Sequence, residues 1–341
     1  MKMKNTHYIY MGMLAAMLLA ACSKDDGDSS QPAVEEKGRS EICVKTNVSN
    51  MQSRATTIDN STLHEYDLKI DAYFHGENTA YLDGVKLHYD SSLPAAWKFW
   101  SGSPGSQTHY YWPIEGSVYD PSSANITVSS LDFVGYCPYA APGYITQGVY
   151  DHSTGTSFSC DLSDYMTNTE QASMDEYLIA VLPNQTYADQ VAHSGVPLQF
   201  KHPFALIKFV ITAASGTHVQ INNIRIGGLY TAATCTYDGT TMSWGSYDDE
   251  TKATMTIAQT LKIGGTTEGT PFMVIPYDYY SSVGSKTLTV NATWDDWSNP
   301  VTMNVSADVD FDWEPGNIYT YNLTLEKYAL KVDILKFTEQ W

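Results

Sequence analysis

The chain has 341 residues and is acidic, with 38 Asp and Glu against 19 Lys and Arg and a formal charge of −19. Such a surface repels phosphate backbones and argues against nucleic acid as a partner. The length suits two domains better than one, and 25 tyrosines with abundant Ser, Thr and β-branched residues favour strands over helices.

The first residues read as a targeting segment. Lys2 and Lys4 precede an apolar run from Ile9 to Ala21 that is too short to span a bilayer, which takes about 20 apolar residues. Residues 1–21 therefore read as a signal peptide. Leu19-Ala20-Ala21-Cys22 is the pattern of a lipoprotein signal, which makes Cys22 the lipidated first residue of the mature chain and anchors it to a membrane. Residues 22–40 are charged and rich in Gly and Ser, a tether with nothing to bury. Its acidic residues resemble surface-export signals, which points to the outer membrane and the cell surface.

Strand signals begin at Glu41, where Ile42, Val44, Thr46 and Val48 alternate with polar residues. Residues 50–57 read as a loop. Leu68, Ile70, Ala72 and Phe74 alternate next, and Val85, Leu87 and Tyr89 follow Asp83-Gly84, read as a turn. Tyr110-Tyr111-Trp112-Pro113 reads as extended and at an edge. Residues 129–136 form a strand ending at Cys137-Pro138. Tyr139 to Met174 reads as a long surface excursion, 176–182 as a dense apolar strand, and 183–195 as a linker. Further strands are expected at 196–211, 219–226, 252–257, 271–275, 287–294, 301–305 and 317–325. Short strands separated by turns predict antiparallel sandwiches, with a first domain over 41–190 and a second over 195–341.

At this point the sequence resembles the fimbrillins, lipoprotein-derived subunits of the type V pili of Gram-negative anaerobes. The resemblance is carried by Tyr111-Trp112-Pro113 with Leu131-Asp132-Phe133-Val134-Gly135-Tyr136-Cys137-Pro138, by the run from Leu198 to Phe209, by Val274-Ile275-Pro276, and by the run from Trp313 to Tyr321. It implies an all-β fold of two transthyretin-like antiparallel β-sandwich domains in tandem. It also implies that an Arg-specific protease removes the lipidated N-terminal piece with the first strand. A strand from another copy, or from a related subunit, then takes its place.

The residues can be read against that scheme. The chain has three arginines, Arg39, Arg54 and Arg225. Arg54 lies in a polar loop after the first strand, so cleavage between Arg54 and Ala55 releases a whole strand, Ile42, Val44 and Val48 included. An ordinary surface arginine has the same look. Arg39 precedes the strand, and Arg225 lies inside one. Leu330, Val332, Ile334 and Phe337 form a candidate donor strand, and the same alternation suits a final strand packed in its own domain. Head-to-tail exchange is heterologous and builds filaments.

Chemistry is sparse. No His spacing suits zinc, no Gly-x-Ser-x-Gly or phosphate loop occurs, and no cofactor, metal or enzymatic activity is expected. Asp248-Asp249-Glu250 and Asp295-Asp296 read as solvated turns. Cys43, Cys137, Cys160 and Cys235 allow three full pairings, with buried free thiols as the default. The rival reading is a non-polymerising surface lipoprotein that binds glycans through aromatic platforms such as Trp97, Phe99 and Trp100, or Trp294 and Trp297, although most of these suit core packing. A host or microbial surface receptor is compatible with either reading.

Overall fold

A computed structural model describes residues 39–48, 58–92, 97–101, 107–120, 125–172, 174–214, 218–248, 253–263, 266–269, 271–277, 286–295, 299–309, 312–327 and 329–340. Cys22, Arg54 and Ala55 lie outside these residues.

The described chain is nearly all β. The first half carries β1 (Val44–Val48), β2 (Leu68–Phe74), β3 (Ala80–Tyr89), β4 (Trp97–Trp100), β5 (Val118–Tyr119), β6 (Ile126–Thr127), β7 (Leu131–Cys137), β8 (Ile145–Gln147), β9 (Thr156–Asp161) and β10 (Leu178–Gln185). Two short helices, α1 (Asn168–Gln171) and α2 (Tyr187–His193), flank β10. The second half carries β11 (Val196–Phe200), β12 (Ala205–Ala213), β13 (Val219–Leu229), β14 (Ala232–Tyr237), β15 (Met242–Gly245), β16 (Ala253–Ile263), β17 (Thr266–Glu268), β18 (Phe272–Val274), β19 (Lys286–Trp294), β20 (Val301–Val309), β21 (Asn317–Glu326) and β22 (Ala329–Gln340).

Three apolar clusters organise these strands. The first lies between the sheet β10-β7-β2-β3-β4 and the parallel pair β1-β11. The second joins the opposite face of that five-stranded sheet to the sheet β15-β14-β9-β8. The third lies between the sheet β17-β12-β21-β22, which β18 joins through β12, and the sheet β16-β13-β19-β20.

Side chains alternate across a strand, and β7 uses both faces. Leu131, Phe133 and Cys137 enter the first cluster, while Val134 and Tyr136 enter the second. This is why the strand is apolar without interruption and buried along its whole length. On β12, likewise, Ala205, Ile207, Phe209 and Ile211 serve the third cluster and Leu206 the second.

Four sequence expectations change. The stretch 139–174 is not a surface excursion: Tyr144, Tyr150, Phe158, Cys160 and Leu162 are buried, and β9 pairs with β14. Its many Gly and Ser residues conceal a sparse apolar set that one face of a strand suffices to bury. The stretch 183–195 is not a linker, because β10 runs on to Gln185 and α2 follows, closed by a Thr186–Asp189 capping box. Asp83-Gly84 does not turn the chain. The hairpin closes around Gly76, and Gly84, at φ +60°, sits in β3 where the pairing with β2 shifts register. Finally, Val196–Phe200, expected to open the second domain, pairs with β1 and buries Val196, Leu198 and Phe200 in the first cluster. The strand assignment thus carries the first cluster past 190–195, toward Lys201.

Candidate functional site

The residues from Ser40 to Val48 form a strand-shaped insert in the first cluster. At its start the Trp112 N–H donates to the Ser40 carbonyl (2.8 Å) and the Ile42 N–H donates to the Tyr110 carbonyl (2.7 Å). From Val44 the insert runs parallel to β11, with Val44 opposite Val196 and Val48 opposite Phe200. At its end the Asn60 side chain grips Val48 from both sides, accepting from its N–H (2.7 Å) and donating to its carbonyl (3.2 Å).

Between the two pairings, α2 supplies the partner. The Gln190 Oε1 accepts from the Cys43 N–H (2.8 Å) and from the Trp112 indole N–H (2.8 Å). Its Nε2 donates to the Glu41 carbonyl (2.9 Å). The Cys43 carbonyl in turn accepts from the Val196 N–H (2.7 Å). Outside this row, His109 Nδ1 lies 2.7 Å from a Glu41 carboxylate oxygen.

The side chains divide by face. Ile42, Val44 and Val48 are buried, whereas Lys45 and Asn47 are exposed. Burial of each apolar side chain is worth roughly 2 kcal/mol, so the three contribute about 6 kcal/mol. That is comparable with the entire net stability of a small domain, about 5–15 kcal/mol. The slot is therefore costly to leave empty. One defect stands out, since the Thr46 Oγ1 is buried with no hydrogen-bond partner.

The expected first strand, Ile42, Val44 and Val48, is thus brought together in one slot. The candidate donor residues lie elsewhere. They belong to β22, which pairs antiparallel with β21 in its own sheet, with Leu330 opposite Leu325, Val332 opposite Leu323 and Ile334 opposite Tyr321. Leu330 and Val332 pack against the third cluster, and Phe337 falls within the same strand. β22 is the last strand in its sheet's order. Arg225 lies in β13, paired on one side with Thr256 and on the other with Thr289, and Arg39 is exposed just ahead of the insert.

Sequence reasoning missed Gln190 and Trp112 as slot residues, and nothing in their local pattern reveals them, because Gln190 meets Cys43 from 147 positions away and Trp112 meets Ser40 from a separate segment. It also missed the β14-β15 hairpin, whose Asp238-Gly239 was a readable turn signal.

Phe99 and Trp294 are buried, the latter donating its indole N–H to the Glu326 carbonyl (3.0 Å). Trp97 is half-buried against Tyr89 and Trp100 against His88. Trp297 lies outside the described residues. Cys137, Cys160 and Cys235 are buried free thiols. Among the described residues no group of three His, Cys, Asp or Glu side chains converges as a metal site, and no helix is long and apolar enough to cross a membrane.

The described chain is nearly all β, built from sheets around three apolar clusters, and comparison with known proteins gives the family. The model of the fimbrillin-like family matches residues 53–339, and the chain belongs to that family. Membership sets it among surface proteins of the pilus and adhesin type. Crystal structures that share the fold include two from Bacteroides. One is a candidate cell adhesion protein from Bacteroides uniformis, 16% identical, with a TM-score of 0.50 over 88% of this chain and 99% of that one. The other is a candidate cell adhesion protein from Bacteroides ovatus, 13% identical, with a TM-score of 0.51 over 88% of this chain and 96% of that one. No curated protein matches the sequence.

Proposed function

We propose that this chain is a non-catalytic pilus subunit made as an outer-membrane lipoprotein. Cys22 carries the lipid. An Arg-specific protease cuts between Arg54 and Ala55, the segment holding Ile42, Val44 and Val48 leaves, and a strand from another subunit enters the slot. Leu330, Val332, Ile334 and Phe337 of β22 are the donor candidate. The domains of this reading are a first sandwich closed by the insert and a second one ending in β22.

One observation carries the reading. The insert is an edge element, buried on one face only, whose main chain is held by separate parts of the first cluster, and Arg54 falls in the connection that follows it. A strand bound in this way can be exchanged for another of the same period.

The test is treatment of the purified chain with an Arg-specific protease. The expected result is loss of the N-terminal piece and a ladder of detergent-resistant polymers. Arg54→Ala should block both. Polymers from Arg54→Ala, or a cut chain that stays monomeric, would overturn the reading, and the second outcome would favour the glycan-binding alternative.

A further inference from the structure

The insert changes partners halfway. Ser40 and Ile42 bond to the segment Tyr110–Trp112, and Val44–Val48 pair with β11. At the crossover the Glu41 carbonyl and the Cys43 N–H bond to neither segment, and both meet the Gln190 side chain. Gln190 is itself buried, and the Trp112 indole N–H fixes which end of the amide faces Cys43. A primary amide offers one acceptor and one donor side by side. Here it does for the insert what the next strand of a sheet would do.

We propose that Gln190 is the main-chain reader of the slot: it recognises an extended strand, whatever its side chains, by one N–H and one carbonyl at the positions that Cys43 and Glu41 occupy. This rests on the exchange reading above and adds a rule for the partner. The incoming strand must present a free N–H at the register position of Cys43, so proline is excluded there. Side-chain choice is left to the pockets of Ile42, Val44 and Val48. With the slot vacant, Gln190 and Trp112 lose partners inside an apolar cluster, and an unmade buried hydrogen bond costs more than a made one gains. The reader therefore also disfavours the vacant state.

Two measurements test this. The first is amide hydrogen exchange on the intact chain. Gln190→Met should speed exchange of the 40–48 amides on the order of tenfold or more, with β7 and β13 unchanged as the internal check on folding. Trp112→Phe, which keeps a ring against Phe133, should act in the same direction and more weakly. Unchanged protection of 40–48 in folded Gln190→Met overturns the proposal. The second uses the protease-cut chain and a synthetic peptide of residues 40–48. Methylating the peptide nitrogen of Cys43 should weaken binding to the parent chain on the order of tenfold, and should barely matter against Gln190→Met. An equal loss in both backgrounds removes Gln190 as the reader and leaves strand exchange standing. Absence of binding by the unmodified peptide overturns the exchange reading itself, and the partner rule with it.

Discussion

Asp132 joins three separate parts of the first half. It is buried at the start of β7 and accepts from the Tyr150 hydroxyl (2.8 Å) and the Asn184 N–H (2.7 Å), with His75 Nδ1 2.7 Å away. It thereby ties together the β2–β3 hairpin, the end of β10 and the segment before β9. Asp132→Ala strands the buried Tyr150 hydroxyl, while the exposed Asn184 N–H can turn to water, and should cost about 1–3 kcal/mol in denaturant unfolding. Thr46 is the opposite case. Its hydroxyl is buried with no hydrogen-bond partner, so Thr46→Val should raise stability by about 1 kcal/mol. On the exchange reading it should also slow release of the cut segment. Asp71 gives a pH signature. Burial pushes its carboxyl up and outweighs the N–H of Gly84 and the ammonium of Lys69, which pull it down. The folded state thus holds the proton more tightly than the unfolded chain, so ionisation costs stability once pH rises through the folded value. Asp71→Asn should be more stable than the parent at neutral pH, and the gap should close as pH falls through the carboxylate range.

Gly135 illustrates why an apolar strand tolerates a glycine. A Cβ there would meet the Phe200 ring at 2.9 Å, so the missing side chain lets β11 sit down on β7. Gly135→Ala should overpack this contact by about 1–3 kcal/mol and loosen the β1–β11 pair, seen as faster hydrogen exchange in 44–48 and 196–200. The residues of Leu131-Asp132-Phe133-Val134-Gly135-Tyr136-Cys137 were legible as a strand because seven consecutive positions are buried and the chain has to be apolar or partnered at each. The first strand was legible for another reason, since one face is wet and the alternation of Ile42, Val44 and Val48 shows. α2 was not legible. Its seven residues are too few to display a helical period, and its reason for existing, the Gln190 contact with Glu41 and Cys43, spans the whole first half. The stretch 139–174 failed through composition, because its glycines and serines outnumber the few residues that reach the second cluster.

The second cluster changes how the halves relate. The sheet β15-β14-β9-β8 takes two strands from each half, and Phe204, Cys235 and Ile275 share its core with Tyr136, Tyr177 and Phe158. A fragment ending at residue 190 loses β11, and one ending at 202 still leaves β9 without β14. Neither should give a cooperative thermal transition alone, and a fragment that melts like the intact chain would show that the shared sheet is dispensable. The same arrangement gives the molecule an internal set of chemical labels. Cys137 sits in the first cluster, Cys160 and Cys235 in the second, and burial pushes all three thiols up, Cys160 to about 12. Thiolate is the reactive form, so these sulfurs ignore alkylating reagents until their surroundings breathe. Mass analysis of the tagged peptides after a brief pulse would therefore report which of the two interiors opens first as denaturant is raised.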